Sequence, residues 1–213
     1  MRFGKIKIPL GPVMAALLWG GAGMAQDVAG RFDHYVLALS WSPTWCAQTG
    51  AERGSPQCDG TRGLVLHGLW PQHRIGWPEY CDTDERGPGR AEVAAMLPLM
   101  GDPSAVTYQW RKHGACSGLS AAAFFALARQ AVAEVAVPEL LTGDAPQRLS
   151  AQEVEAAMLR ANPDMVADGV TVTCRDGHIA EIRLCLTKTL EPRPCEPDVR
   201  RDCRLADALL PAP

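Results

Sequence analysis

Several common features are missing from this 213-residue sequence. After residue 25 no stretch is long and apolar enough to cross a bilayer, so we expect the mature protein to be soluble. The chain has no internal repeat, heptad pattern or long low-complexity tract, the patterns that solenoids and coiled coils require. It also lacks any excess of positive charge.

The charge balance is acidic. Lysine and arginine number 21 against 24 aspartates and glutamates, which gives a net charge of −3 at pH 7. Residues 1–25 hold three basic residues and no acidic one, so the remainder has a net charge of −6. Proteins that coat nucleic acids present a basic surface. Any contact with RNA must therefore be local, which suits RNA cleavage better than binding along the length of an RNA.

The cysteines lack the C-x-x-C spacing typical of metal sites, so a zinc cluster is disfavoured. Their even number, behind an export signal, instead predicts four disulfides formed in an oxidising compartment. Spacing alone leaves the pairing open. The eight residues are Cys46, Cys58, Cys81, Cys116, Cys174, Cys185, Cys195 and Cys203.

The first 25 residues have the pattern of a secretory signal peptide. Arg2, Lys5 and Lys7 precede an apolar run at 8–19, and small residues lead to a predicted cleavage site after Ala25. A membrane anchor is disfavoured because prolines and a glycine interrupt a run that is already too short. We therefore predict a signal peptide at 1–25 and one domain at 26–213.

The remaining chain predicts an α+β fold. Apolar runs at 35–39 and 63–66 are typical of strands, and residues 47–62 and 71–90 are typical of loops. Helical patterns follow at 91–100, 104–116, 120–135 and from 150, with Ser120 and Ser150 as N-caps. Residues 170–174 and 179–186 predict a hairpin that turns at Asp176-Gly177. This order, with strands first, helices clustered and a hairpin last, favours segregated helices and strands.

One candidate site segment is HGLWPQ at 67–72. His67 follows a predicted strand, and we expect it to be held at the strand end. Gly68 would leave space beside it for a substrate. Trp70 offers a flat face on which a nucleobase could stack, an interaction worth about 1–3 kcal/mol per base.

A second candidate segment is YQWRKHGAC at 108–116. On a helix, Gln109, Lys112 and His113 lie at i, i+3 and i+4 and so share one face. Tyr108 lies beside Lys112 by the same spacing. The pattern places an imidazole, an ammonium and an amide together.

RNA cleavage needs such a set of groups. The 2′-hydroxyl must lose a proton while the 5′-oxygen gains one, and two imidazoles with ordinary pKa values can do both. A fixed ammonium stabilises the charge of the phosphorane. Other interpretations remain open at this point: Trp70 could belong to the core, Lys112 to a solvated helix face, and the histidines to a metal site. No carboxylate or cysteine set with familiar spacing supports the metal site.

Together these segments resemble the ribonuclease T2 family of secreted, base-nonspecific endoribonucleases. The resemblance covers most of the chain after residue 25. It rests on residues 32–43, LHGLWPQ at 66–72, WRKHGAC at 110–116, residues 150–163 and residues 174–195, which include EIRLCL.

The resemblance implies a central antiparallel sheet flanked by helices, stapled by disulfides, in a single domain. It implies that His113 is the general base, His67 the general acid and Lys112 the group that stabilises the transition state. The first product would be a 2′,3′-cyclic phosphate and the second a 3′-phosphate. Trp70 and Gln72 would bind the base. The implied disulfides are Cys46–Cys58, Cys81–Cys116, Cys174–Cys203 and Cys185–Cys195.

Two positions depart from the family pattern, which usually has His-Glu where this chain has Tyr108-Gln109. The histidine normally contacts phosphate, and Tyr108 can offer only one uncharged hydrogen bond. The glutamate assists near the phosphorane, and Gln109 cannot carry a proton, which can cost on the order of 10² in rate. We expect an active, metal-free, cofactor-free monomer whose partner is RNA. The alternative is a catalytically weak member that binds RNA or a protein through the same cleft.

Overall fold

A six-stranded sheet organises the part of the chain that this computed structural model describes, which is Met1 and residues 27–213. The predicted signal peptide thus lies, apart from Met1, outside the described residues. The strands are β1 (His34–Trp41), β2 (Leu64–Gln72), β3 (Gln147–Leu149), β4 (Val170–Arg175), β5 (His178–Leu186) and β6 (Ala208–Leu210). The helices are α1 (Ser42–Trp45), α2 (Arg90–Met100), α3 (Pro103–Lys112), α4 (Ala121–Ala133) and α5 (Ala151–Ala161).

The sheet is antiparallel along β2-β1-β5, and β4 pairs with β5 in the same sense. β6 pairs antiparallel with β3 and meets β5 in a single parallel contact between His178 and Leu209. The predicted α+β class, with one domain and a sheet flanked by helices, is confirmed. None of the described helices is both long and apolar enough to span a bilayer.

Each central strand buries one face against the helices. Leu37 and Leu39 of β1 point to this face, and they pack in one cluster with Phe124 and Phe125 of α4. Because side chains alternate along a strand, Val36 and Ser40 point to the opposite face. That second face forms part of the floor of a cavity.

Local signals in the sequence fix several boundaries. Ser120 accepts a hydrogen bond from the Ala123 amide at the start of α4, and Ser150 and Glu153 form the predicted capping box of α5. The predicted hairpin joins β4 to β5, and Asp176 and Gly177 both have the positive φ angles, 48° and 80°, of a tight two-residue turn.

Other boundaries differ from the predictions. Residues 46–50 form a π-helical turn and 56–58 a 3-10 turn, where the composition predicted loop. β2 continues to Gln72, so the loop begins at residue 73 and not at 71, and His67 lies inside the strand and not at its end. α3 ends at Lys112, four residues before the predicted end.

Gly114 is closely packed just after the end of α3. A Cβ atom there would lie 2.6 Å from Cε3 of Trp110 and 2.9 Å from Cε1 of Phe124, so only glycine fits. The chain leaves the α-helix at His113 and continues as a 3-10 segment, Gly114–Ser117, against the core.

All eight cysteines form disulfides, in the pairs that the resemblance implies. Cys81–Cys116 joins the long loop after β2 to the segment after His113, and Cys46–Cys58 closes the turns after β1. Cys174–Cys203 and Cys185–Cys195 fasten the C-terminal segment to β4 and β5. In this way the covalent links hold the loops that surround the open face of the sheet.

Candidate active site

A cavity of about 690 Å³ lies over the open face of the sheet. The structure brings the side chains of both candidate segments into this one cavity, although 36 positions or more separate the first from the second along the chain. Those side chains are His67, Trp70, Gln72, Tyr108, Gln109, Lys112 and His113.

A β-bulge directs His67 into the cavity. Ala38 of β1 pairs with Gly68, but the next residue, Leu39, pairs with Leu66, so His67 is an extra residue without a partner on β1. Bulges often re-aim a side chain beside an active site. Here the bulge lets Leu66 and Leu69 both point into the core while His67 points the other way.

Glu181 of β5 holds the His67 ring. Its Oε2 lies 2.6 Å from His67 Nδ1 and accepts a hydrogen bond from Ser40 Oγ at 3.3 Å, and its Oε1 accepts one from Arg183 Nε at 2.7 Å. Burial alone would raise the pKa of Glu181, but the hydrogen bond and charge of His67, with the charge of Arg183, lower it to about 2. The carboxylate is thus ionised. A carboxylate in this place fixes which ring nitrogen carries the proton and leaves Nε2 for the cavity.

His113 lies in a different environment. Its side chain is buried at the end of α3, and Nδ1 has no hydrogen-bond partner among residues 27–213. Burial, together with the nearby charges of Lys112 and His67, lowers the pKa of His113 to about 3. The ring is therefore neutral at ordinary pH, as a group that accepts a proton must be.

Trp70 lies between the two histidines. Its ring centre is 5.0 Å from that of His67 and 5.3 Å from that of His113. The indole Nε1 donates a hydrogen bond to Gln109 Oε1 at 2.8 Å. A Cβ atom at position 68 would lie 2.4 Å from both of these atoms. The space beside Gly68, which we expected a substrate to use, is therefore filled by Trp70 and Gln109.

The predicted helical face of the second segment holds only in part. Gln109 and Lys112 belong to α3, but His113 has φ −121° and ψ −48° and has left the helix. Gln109 is nearly fully buried and is directed at Trp70. Nζ of Lys112 lies 3.4 Å from Oε2 of Glu79, and its side chain is 27% exposed.

The remaining candidates line the edges of the cavity. Tyr108 is 43% exposed. Tyr108 also affects Lys112. Burial alone would lower the pKa of Lys112, but the influence of Tyr108 and Glu79 outweighs burial and raises that pKa. Gln72 is buried and its Nε2 donates to the carbonyl of Pro71 at 2.9 Å.

Sequence reasoning missed Glu79, which pairs with Lys112, and several side chains that line the cavity. Among the latter are Trp77, Glu181, Arg183, Arg175 and Arg201. A signal existed for two of them. Glu181 and Arg183 are the charged residues of an otherwise apolar strand pattern, and their spacing of two puts them on one face. In the described part of the chain, no three His, Cys, Asp or Glu side chains come together in a way that could hold a metal ion.

Comparison with known proteins agrees with this geometry. The sequence model of the ribonuclease T2 family matches residues 32–195, which include both histidines and Glu181. The chain belongs to the ribonuclease T2 family. Family membership accounts for the presence of both candidate segments in one chain and in this order.

Relatives support the same assignment. A ribonuclease from Aeromonas hydrophila is 43% identical over 126 residues, which cover 58% of this chain and 55% of that protein. The chain likewise covers 55% of a probable ribonuclease from Haemophilus influenzae, so it spans about half the length of these curated relatives. An RNase-related protein from Calystegia sepium has a TM-score of 0.63 at 21% identity, covering 85% of this chain and 97% of that one. At this identity the likeness shows that the ribonuclease T2 fold is shared.

Proposed function

We propose that the protein is an endoribonuclease that cleaves single-stranded RNA by two-histidine acid–base catalysis, without a metal ion. The observation that carries the proposal is the contrast between His67 and His113. The two rings flank Trp70 in one cavity, one beside an ionised carboxylate and the other buried and neutral. Such a difference in environment supports the roles of acid for one group and base for the other.

In the proposed reaction, His113 removes the proton from the 2′-hydroxyl, and the resulting oxygen attacks phosphorus. His67, with Glu181 at Nδ1, protonates the departing 5′-oxygen from Nε2. The products are a 2′,3′-cyclic phosphate and a free 5′-hydroxyl, and slower attack by water opens the ring to a 3′-phosphate. Lys112 stabilises the negative charge that develops on the phosphorane oxygens.

Base binding belongs to the same proposal. Trp70 and Gln72 line the cavity, and Trp77, with 48% of its surface exposed, also lines it and offers an aromatic face. Because Trp70 already contacts both histidines and Gln109, we assign it chiefly to positioning. Trp77 is the freer surface for a stacked base.

The setting of the protein is likewise proposed. The predicted signal peptide and the four disulfides support export to a periplasm or to the exterior. We propose that it acts as a monomer whose partner is RNA. The local placement of Lys112 and Arg183 in an acidic chain supports contact restricted to the cleft.

The division of roles can be tested with two substrates that differ in the leaving group. One is a dinucleotide, and the other is a uridine 3′-phosphate ester of a nitrophenol, whose anion departs without a proton. We expect His67→Ala to lose most activity on the dinucleotide and little on the aryl ester, and His113→Ala to lose activity on both. Equal losses for both variants on both substrates would contradict the assignment. A folded wild-type protein that binds RNA and cleaves neither substrate would favour the alternative of a binding protein.

A further inference from the structure

Arg183 occupies a row of small residues on the floor of the cavity. In register, Arg183 of β5 pairs with Ala38 of β1, which pairs with Gly68 of β2. Trp70 and Gln109 fill the space beside Gly68. The Arg183 side chain lies next to Trp70, and its Cζ is 5.5 Å from the centre of the Trp70 ring.

Two contacts fix the guanidinium group without using most of its donors. Nε donates to Glu181 Oε1 at 2.7 Å, and the plane lies near the Trp70 ring. Neither Nη group hydrogen-bonds to any residue in the described part of the chain. The side chain is 26% exposed and lines the cavity, so these donors are available to a ligand.

The same carboxylate holds Arg183 and His67. Glu181 receives the arginine on one oxygen and the histidine on the other, so the guanidinium and the imidazole are side by side. A phosphate placed where His67 could protonate its leaving oxygen would therefore lie within reach of Arg183.

The side chains of the second segment supply little positive charge to a phosphate. Position 108 carries a tyrosine, which offers no charge to a phosphate. Lys112 lies 3.4 Å from Glu79, so part of its charge is already neutralised. His113 is neutral at ordinary pH. Arg175 and Arg201 also line the cavity, but Arg183 is the arginine that shares a carboxylate with His67.

We propose that Arg183 is a phosphate-binding residue, whose two Nη groups donate to non-bridging oxygens of the phosphodiester held between His67 and His113. This inference rests on the proposed function. A guanidinium fork matches two oxygens of one phosphate, which an ammonium group does not. Arg183 thereby supplies the charge that Tyr108 lacks.

The test measures binding apart from turnover. A short single-stranded oligodeoxynucleotide has phosphates but no 2′-hydroxyl, so the protein can bind it and cannot cleave it. Its dissociation constant is measured at several salt concentrations for wild type, Arg183→Gln, Arg183→Lys and Arg111→Gln. Arg111 is the matched control, because it is an exposed arginine on α3 beside Lys112. Thermal unfolding of each variant shows that it is folded.

We expect Arg183→Gln to bind about tenfold more weakly, as the loss of a charge-assisted contact predicts. Its slope of log affinity against log salt should shrink by about 0.7, the value for one phosphate contact on a single strand. Arg183→Lys should keep the slope and recover part of the affinity. Arg111→Gln should stay within about twofold of wild type, as solvated surface charges do.

Two results would overturn the inference. One is that Arg183→Gln binds the oligodeoxynucleotide with the same affinity and the same salt slope as wild type. The other is an unchanged affinity with a shifted pH profile of RNA cleavage, which would mean that Arg183 only orients Glu181. The proposed function fails separately: if wild type binds the oligodeoxynucleotide through Arg183 but does not cleave RNA, the phosphate site stands and the ribonuclease activity does not.

Discussion

Replacing Glu181 by glutamine tests the carboxylate that holds both His67 and Arg183. The carboxylate accepts from His67 and Ser40 on one oxygen and from Arg183 on the other. An amide has the same shape but only one acceptor oxygen, so it must present an N–H group either to His67 or to Arg183. A buried donor without an acceptor costs about 2 kcal/mol, which corresponds to roughly 30-fold in rate. We therefore expect kcat/KM for dinucleotide cleavage to fall by about that factor.

The assay follows cleavage from pH 4 to 8 in parallel with urea unfolding. Glu155→Gln is the matched control, because Glu155 is a half-buried glutamate on α5 that does not line the cavity. We expect this control to cleave as fast as wild type. The pH profile of Glu181→Gln should also lose its wild-type shape, since the partner of His67 has changed. A folded Glu181→Gln variant with kcat/KM within twofold of wild type across the range would show that cleavage does not depend on this carboxylate.

Three further changes test the electrostatics. Gln109→Glu puts a negative charge beside His113, which should raise the pKa of that histidine. The acid limb of the pH–rate profile should then move to higher pH. An unchanged rate and profile would mean that the substitution does not matter. Glu79→Gln removes the carboxylate that pairs with the Lys112 ammonium. KM for RNA should therefore fall roughly two- to fivefold, the range expected for an exposed ion pair. An increase in KM would contradict this expectation. His34 is fully buried, and its burial and the charge of a nearby arginine lower its pKa to about 4. Between pH 6.5 and 4 the unfolded chain therefore binds a proton at His34 that the folded protein does not bind. The free energy of unfolding should therefore fall between pH 6.5 and 4, and His34→Gln should flatten that fall in urea titrations; an equally steep fall in the variant would show that other groups cause it.

Local sequence signals predicted the element boundaries that are set by a capping or turn motif. The capping box at Ser150 and the Asp176-Gly177 turn are decided by residues within three positions of each other, so the sequence reveals them directly. The three-residue strands β3 and β6 escaped prediction because so short a run has no periodicity.

The candidate site was predictable in its residue types and not in its contacts. Both histidines stand out from their segments, but the bulge at His67 depends on pairing with β1, which the segment itself does not encode. The bond between His67 and Glu181 joins residues 114 positions apart. Likewise, the close fit of Gly114 against Trp110 and Phe124 depends on tertiary packing.

The most direct test of the central claim is RNA cleavage by the oxidised protein in excess chelator, with wild type and His113→Ala compared and the product ends identified. We expect 2′,3′-cyclic phosphate ends from wild type, later converted to 3′-phosphates, and none from the variant. Absence of cleavage by folded wild type anywhere between acid and neutral pH would contradict this expectation. So would cleavage that the chelator abolishes, because the proposed acid, base and charge all come from the chain itself.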